Sequence, residues 1–270
     1  MVNAVSAVSY STLIFEVRNN VAWITLNRPE AFNAMNLQCM KELFDVANRC
    51  GSDPAVRAAV LTGSGTKAFC AGGDVAAFAH DPASVDLLIK EMTAYLHMAI
   101  SRFAWMDAPL IAAINGVAAG AGLSMAACCD LAIASETARF TSAYTQIGLS
   151  PDGSSTYYLS RLVGTRRAME IYLTNRNLSA REALDWGLVN QVVPADQLMN
   201  EVTSLAEKLA RGPTRAHGGV KKLLLMSPTE TLESQMERET RQIVELSKSA
   251  DGIEGVRAFV EKRQPRFKGT

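Results

Sequence analysis

From Ala108 to Cys129 the chain runs 22 residues without an Asp, Glu, Lys or Arg, and most of that run is AINGVAAGAGLSMAACC, rich in alanine and glycine. The length is enough to cross a bilayer, and Gly116 and Gly120 make the Gly-x-x-x-Gly step of packed membrane helices. Two features oppose a span: Asn115-Gly116 is a turn pair, and alanine and glycine offer little apolar area to drive insertion. The stretch instead reads as a strand over 110–114, a turn, and a helix that begins near Gly120 and runs to Cys129. Small residues there let the helix start pack against neighbouring backbone. A helix start has unpaired N–H groups and a positive dipole end, a setting that suits developing negative charge.

The surrounding pattern alternates strand and helix. Leu13 to Val17 and Val21 to Leu26 read as strands around an Asn19-Asn20 turn, and Ala58 to Leu61 as a short buried strand. Asn36 is placed to cap a helix with apolar Leu37, Met40, Leu43, Phe44 and Ala47. Val85, Leu88, Ile89, Met92, Leu96, Ala99, Ile100 and Phe103 mark one face of a long amphipathic helix over 84–104. A further strand is expected at Leu131 to Ala134. The last 70 residues read as successive helices, and Ser179-x-x-Glu182 just before them, Ser227-x-x-Glu230 and Asp251-x-x-Glu254 read as capping boxes. Leu232, Met236, Ile243 and Leu246 line one face of a charged helix, ready to pack on the body or on another subunit. No internal repeat is visible in the residues. The organisation expected is an α/β core over residues 1–200 followed by a helical region over 201–270.

Charge narrows the partners. Lysine plus arginine equals aspartate plus glutamate at 27 each, so no charge excess draws the chain to nucleic acid or to an acidic membrane. Cys39, Cys50, Cys70, Cys128 and Cys129 contain no C-x-x-C pair and only His80, His97 and His217 accompany them, so a zinc framework is unsupported and free, buried thiols are expected. The N-terminal MVNAVSAVSYSTLIFEV lacks a basic n-region and a sustained apolar segment, so a reducing cytoplasm is the expected location.

A second bare-backbone stretch is KAFCAGGDV at 67–75, where Ala71-Gly72-Gly73 precede Asp74 and glycine lets peptide N–H groups approach a ligand. Together with LNRPEAFNAMN (26–36), INGVAAGAG (114–122) and QIGLSPDGSS (146–155), in this order and spacing, it resembles the crotonase superfamily of acyl-CoA enzymes. LTNRNLSAREALDWGLVNQVV (173–193) and AFVEKRQPRF (258–267) extend the likeness over nearly the whole chain.

The resemblance implies an α/β fold with a repeated ββα spiral core, and C-terminal helices that build a homotrimer, often paired into a hexamer. It places the two N–H donors for the thioester oxygen on Gly73 and Ala121, with Gly72 and Gly120 beside them. Preorganised donors of this kind stabilise an enolate oxyanion and need no metal. It further implies an acyl-CoA substrate bound near Ala31, Ala68, Ala71, Asp74 and Val75, with Phe259 and Lys262 reaching a neighbouring subunit's nucleotide. Coenzyme A would be part of the substrate, and no separate cofactor is implied.

The chemistry is set by what carries a proton. The two glutamates of the hydratases fall on Ser124 and Tyr144 here. Asp152, which without context reads as an N-cap for a helix over 154–162, resembles the single acid of the phenylacetate-pathway and Δ3,Δ2-enoyl-CoA isomerases. One carboxylate suffices to take a proton at one carbon and return it at another. The same position also resembles the nucleophilic aspartate of 4-chlorobenzoyl-CoA dehalogenases, whose water-activating histidine falls on His97. Read by itself, His97 is an edge residue of an amphipathic helix, and His80 and His217 are surface. Hydration and binding without turnover are the remaining alternatives. Gly122-Leu123-Ser124-Met125-Ala126 nearly matches a serine-hydrolase elbow, but Ser124 is expected inside a helix, its hydroxyl bonding a carbonyl one turn back.

Overall fold

A computed structural model describes residues 9–80 and 83–270; residues 1–8, on which the absence of a leader was read, lie outside the described residues. A hairpin opens the fold: β1 (Leu13–Arg18) and β2 (Val21–Leu26) pair antiparallel around Asn19 and Asn20. Both turn residues have positive φ, 52° and 60°, the left-handed geometry that two-residue hairpins demand and asparagine tolerates. Helix α1 (Leu37–Ser52) follows, its Asn36 side chain accepting the Cys39 N–H as the sequence led one to expect.

From there each turn of the chain repeats one pattern. β3 (Ala58–Gly63) leads to β4 (Ala68–Cys70) and then to α2 (Val75–His80) and α3 (Val85–Trp105). β5 (Leu110–Ile114) leads to β6 (Val117–Ala119) and α4 (Ala121–Cys128), and β7 (Leu131–Ser135) to β8 (Arg139–Thr141) and α5 (Ser155–Val163). The chain continues through α6 (Thr165–Thr174), β9 (Leu178–Ser179), α7 (Ala180–Asp185) and β10 (Gln191–Val193). The first strand of each pair joins a six-stranded sheet ordered β1-β2-β3-β5-β7-β10; the second joins a four-stranded sheet ordered β4-β6-β8-β9. This is the ββα spiral, parallel from β2 to β10.

Strand alternation explains its two cores. On β2, β3 and β5, Ala22, Ile24, Ala59, Leu61, Leu110, Ala112 and Ile114 face the helices α1 and α3, in a core that also takes Leu43, Leu96 and Phe103. The intervening Val21, Trp23, Ala58, Val60, Ile111 and Ala113 face the opposite way, onto Leu198, Val202, Ala206 and Ala210 of α8 (Leu198–Ala210). Both sheet faces are covered, which is why these strands are apolar apart from Thr25 and Thr62 near their ends. The residue-200 division falls inside α8, a helix that packs on the sheet.

The C-terminal helices are α9 (Thr214–Met226), α10 (Leu232–Ser247) and α11 (Ala250–Val260). The Ser179–Glu182 capping box forms on α7 with both reciprocal bonds. The other two expected boxes do not. Ser227 lies in a 3-10 turn, and Thr231 caps α10; Ser249 caps α11, so Asp251 sits inside the first turn. There its carboxylate accepts the backbone N–H groups of Lys268 and Gly269 (2.6 and 2.7 Å) and ties down the C-terminal tail. The apolar stripe of α10 does not meet the body: Leu232 is 69% and Ile243 68% exposed. Among the described residues no helix is long and apolar enough to cross a membrane. The charge-free stretch is β5, β6 and α4, and every α4 residue is buried. The cysteines are free, with Cys129 partly rather than fully buried. His217 is half-buried, its Nδ1 unpartnered and its pKa lowered by burial and by Arg57, so it is not the surface residue expected. The side chain of His80 lies outside the described residues.

Candidate active site

Two loops of bare backbone meet at the C-terminal ends of β4 and β6. A Cβ placed on Gly72, whose φ is +102°, would stand 3.0 Å from the Ala119 carbonyl oxygen and 3.2 Å from the Ala121 nitrogen. One placed on Gly122 would stand 2.0 Å from the Cys70 carbonyl oxygen, and one on Gly116 2.4 Å from that of Lys67. Gly72, Gly116 and Gly122 are there because two segments of main chain touch, with little or no room for a methyl group. Asn115, in the turn between β5 and β6, secures the approach by donating from Nδ2 to the carbonyls of Gly63 (2.8 Å) and Gly65 (2.9 Å). Asn33 does the same from below, donating to Ser64 and Ala68.

Gly73 is strung between two hydrogen bonds to one residue. Met35 N–H donates to the Gly72 carbonyl at 2.7 Å, and Asp74 N–H donates to the Met35 carbonyl at 3.0 Å. Gly73 N–H is left over. Ala121, first residue of α4, likewise has an N–H at the helix start, and among the described residues neither amide has a hydrogen-bond partner within the chain. Both line one cleft of about 230 Å³. Two unpaired donors on the wall of an otherwise apolar cleft, one at a helix N-terminus, can hold a carbonyl oxygen and the negative charge that develops on it.

The rest of that wall is mostly apolar, with Met40, Phe78, Ile89 and Met92 among its side chains beside Thr93 and Ser150, and among the described residues Asp152 is the only carboxylate on it. Asp152 is not a helix cap. Ser154, in the left-handed region at φ 62°, occupies the N-cap position of α5 with no side-chain bond. The Asp152 carboxylate instead accepts the Tyr144 hydroxyl on Oδ1 at 2.5 Å. Burial, the Asp152 charge and the hydrogen bond to it push the Tyr144 phenol well above the usual tyrosine range, so it stays protonated and donates. Oδ2 has no partner within the chain among the described residues. Ser124 Oγ lies 3.4 Å from the Gly120 carbonyl, the bond one turn back that the sequence suggested. It also lies 3.2 Å from Tyr144 Oη and 3.0 Å from the Asp152 carbonyl oxygen.

The other residues singled out in the sequence do not all fall on the cleft. Ala71, Gly72, Val75 and Gly120 join Gly73, Ala121, Tyr144 and Asp152 on the cleft wall. Ala31 and Ala68 lie behind it: Ala71 N–H donates to the Phe32 carbonyl (3.0 Å), which brings the 29–32 turn alongside, and the Ala68 carbonyl is taken by Asn33. Asp74 turns away to pair with Arg28 at 2.9 Å, an ion pair between two motifs that sequence spacing gave no means of seeing. His97 is not on this cleft wall. It sits on the far side of Gly153, whose N–H donates to His97 Nε2 at 3.2 Å. Phe259 is 86% exposed at the end of α11, rather than core, and Lys262 follows it with φ 53°. Neither lines the cleft of its own chain. No cluster of three or more His, Cys, Asp or Glu side chains placed to hold a metal ion occurs among the described residues.

Known proteins resemble the chain over most of its length. A family model described as enoyl-CoA hydratase/isomerase matches residues 16–270. The chain is 40% identical over 230 residues to 4-chlorobenzoyl coenzyme A dehalogenase-2 of an Arthrobacter species, covering 85% of this chain and 83% of that one. It is 36% identical over 258 residues to 1,2-epoxyphenylacetyl-CoA isomerase of Escherichia coli, covering 95% and 98%. Among solved structures, an enoyl-CoA hydratase from Bacillus anthracis superposes with a TM-score of 0.90 at 31% identity, covering 96% of this chain and 100% of that one.

Proposed function

The chain belongs to the enoyl-CoA hydratase/isomerase family, and from that premise we propose that it shifts a carbon–carbon double bond within an enoyl-CoA thioester, with Asp152 carrying the proton. Acyl-CoA chemistry is common to the family; the choice of reaction rests on one observation. Among the described residues, a cleft with two unpaired amides, Gly73 and Ala121, carries a single carboxylate, and that carboxylate has one oxygen engaged by Tyr144 and the other without a partner in the chain. The thioester oxygen sits between the amides. Asp152 Oδ2 takes a proton from carbon, the electron pair moves into the thioester as an enolate whose oxygen the amides stabilise, and the same oxygen returns the proton to a different carbon. Tyr144 keeps the carboxylate aimed, holding its own phenol proton throughout and transferring none to the substrate.

Hydration profits from a second acid to position water, and the two places where the hydratase glutamates fall hold Ser124 and Tyr144, the phenol hydrogen bond already given to Asp152 Oδ1. Dehalogenation is the second reading, favoured by the 40% identity to the Arthrobacter enzyme and by the presence of both Asp152 and His97. It stands second because the His97 Nε2 lone pair is taken by the Gly153 N–H, on the far side of that residue from the cleft.

We further propose that the exposed apolar residues of α10 and α11, Leu232, Ile243, Val256 and Phe259 among them, are covered in a homotrimer or a pair of trimers. Phe259 and Lys262 would then serve a neighbour's coenzyme A, which enters as substrate. Assays of 3-enoyl-CoA isomerisation, enoyl-CoA hydration and chloride release from 4-chlorobenzoyl-CoA separate the chemistries. Isomerisation dominating, with deuterium taken up from solvent, is the expected result. Chloride release dominating overturns it in favour of the dehalogenase, and tight acyl-CoA binding without any turnover leaves a binding protein.

A further inference from the structure

We infer that His97 and Ser124 are positioning residues for Asp152, acting together on the one peptide group that follows it; the inference rests on the proton-carrying role proposed for Asp152 above. A trans peptide group is a rigid plane with its oxygen and its N–H on opposite edges. Here both edges are held. The Asp152 carbonyl oxygen accepts Ser124 Oγ at 3.0 Å, from α4, and the Gly153 N–H donates to His97 Nε2 at 3.2 Å, from α3. Fixing both edges of the plane fixes its rotation, and with it the direction in which the Asp152 Cα–Cβ bond enters the cleft.

The local backbone needs such a hold. Gly153 and Ser154 are consecutive left-handed residues, φ +59° and +62°, a conformation that serine rarely adopts. The turn is also crowded: a Cβ on Gly153 would stand 3.0 Å from the Ser124 Cβ and 3.3 Å from Leu96. Ser124 lies one turn along α4 from Ala121, so the helix whose first amide lines the cleft also fixes the carboxylate opposite. An acceptor at Nε2 leaves the proton of the neutral ring on Nδ1, and the ring needs no contact with substrate to do this work.

Three variants of the full chain test it: His97→Leu, which removes the acceptor; His97→Gln, whose Oε1 reaches the place of Nε2; and Ser124→Ala. Misplacing a reacting group by about 1 Å can cost about a hundredfold in rate. His97→Leu and Ser124→Ala are expected to lower kcat for isomerisation by about tenfold or more with KM nearly unchanged. His97→Gln should recover most of the loss, and in an Asp152→Asn background His97→Leu should cost nothing further. Hydrogen–deuterium exchange over residues 149–156 should speed up in His97→Leu and Ser124→Ala and return toward normal in His97→Gln. Wild-type kcat and exchange in His97→Leu, a Gln variant no better than Leu, or an undiminished loss in the Asp152→Asn background would each overturn the proposal. Should His97→Leu not fold, Ser124→Ala, which removes a single hydroxyl, decides by the same readouts. A wild-type protein that isomerises no enoyl-CoA overturns the function proposed for Asp152, and the exchange measurements then decide the positioning on their own.

Discussion

Around residues 71–73 and 120–122 the cleft wall is main chain with hydrogen or methyl in place of larger side chains, whereas elsewhere on it Asp152 presents a carboxylate just before two left-handed residues and Tyr144 a phenol from the start of the 145–147 turn. The first half is fixed by contact: strand ends and a helix start are pressed together until glycine alone fits. The second half is held by a chain of hydrogen bonds among Ser124, Tyr144, Asp152, Gly153 and His97. Substitution in the first half should therefore act through folding and in the second through chemistry. That separation explains how relatives named for three different reactions share one backbone.

Breaking the second half gives the largest expected effect. Asp152→Asn should lower the isomerisation rate by about a thousandfold, the middle to upper range for a general acid–base group, while thermal stability and acyl-CoA affinity stay near those of the native chain. An equal loss of binding would place Asp152 with the structural residues. In the first half, Gly122→Ala drives a methyl group onto the Cys70 carbonyl 2.0 Å away, and should destabilise the fold by about 3 kcal/mol, the upper part of the usual range for overpacking, as read by denaturant unfolding. Gly72→Ala combines positive φ with a 3.0 Å contact and should destabilise by about 2 kcal/mol. Tyr144→Phe removes the phenol proton from Asp152 Oδ1 and should cost about tenfold in kcat, the size of one hydrogen bond to a charged group, with unfolding nearly unchanged.

The smallest effect is a control outside both halves. Glu42, buried on α1, feels burial that opposes its charge, yet hydrogen bonds from Thr12, Gln38 and Ser11 hold its carboxyl at about 2. Because the folded value lies below the unfolded one, its contribution to stability is complete above the ordinary glutamate range and disappears as pH falls toward 2. Glu42→Gln should lose about 1 kcal/mol near neutral pH and flatten the stability profile between about pH 4.5 and 2, without changing kcat. A change in kcat would show that the N-terminal strand is coupled to the cleft.

How much of this was legible in the sequence follows the same division. The backbone half could be read directly, since glycine and alanine in KAFCAGGDV and INGVAAGAG announce close approach, and the helix start near Gly120 was located to within a residue. The short strands β4, β6 and β8 were not legible: at 3 residues each they are too brief to show alternation, so the ββα repeat was hidden although its architecture is regular. In the side-chain half, Asp152 and Tyr144 were singled out, but the contacts that give them meaning were not. The Arg28–Asp74 pair, and the bond from Gly153 to His97, join residues 46 and 56 positions apart, and no local spacing encodes them. The capping boxes at Ser227 and Asp251 failed for a related reason. A better-placed Thr231 and Ser249 start those helices, and Asp251 is claimed by the C-terminal tail.

The most direct test is a crystal structure of the protein bound to an unreactive acyl-CoA analogue that keeps the thioester carbonyl or an isosteric ketone. The expected result has the carbonyl oxygen about 2.7–3.1 Å from both the Gly73 and the Ala121 nitrogens, the distance of working oxyanion donors, with Asp152 Oδ2 against the carbons beside the carbonyl. A carbonyl bound elsewhere in the cleft, or one that meets a single amide with Asp152 turned away from the acyl chain, would contradict it.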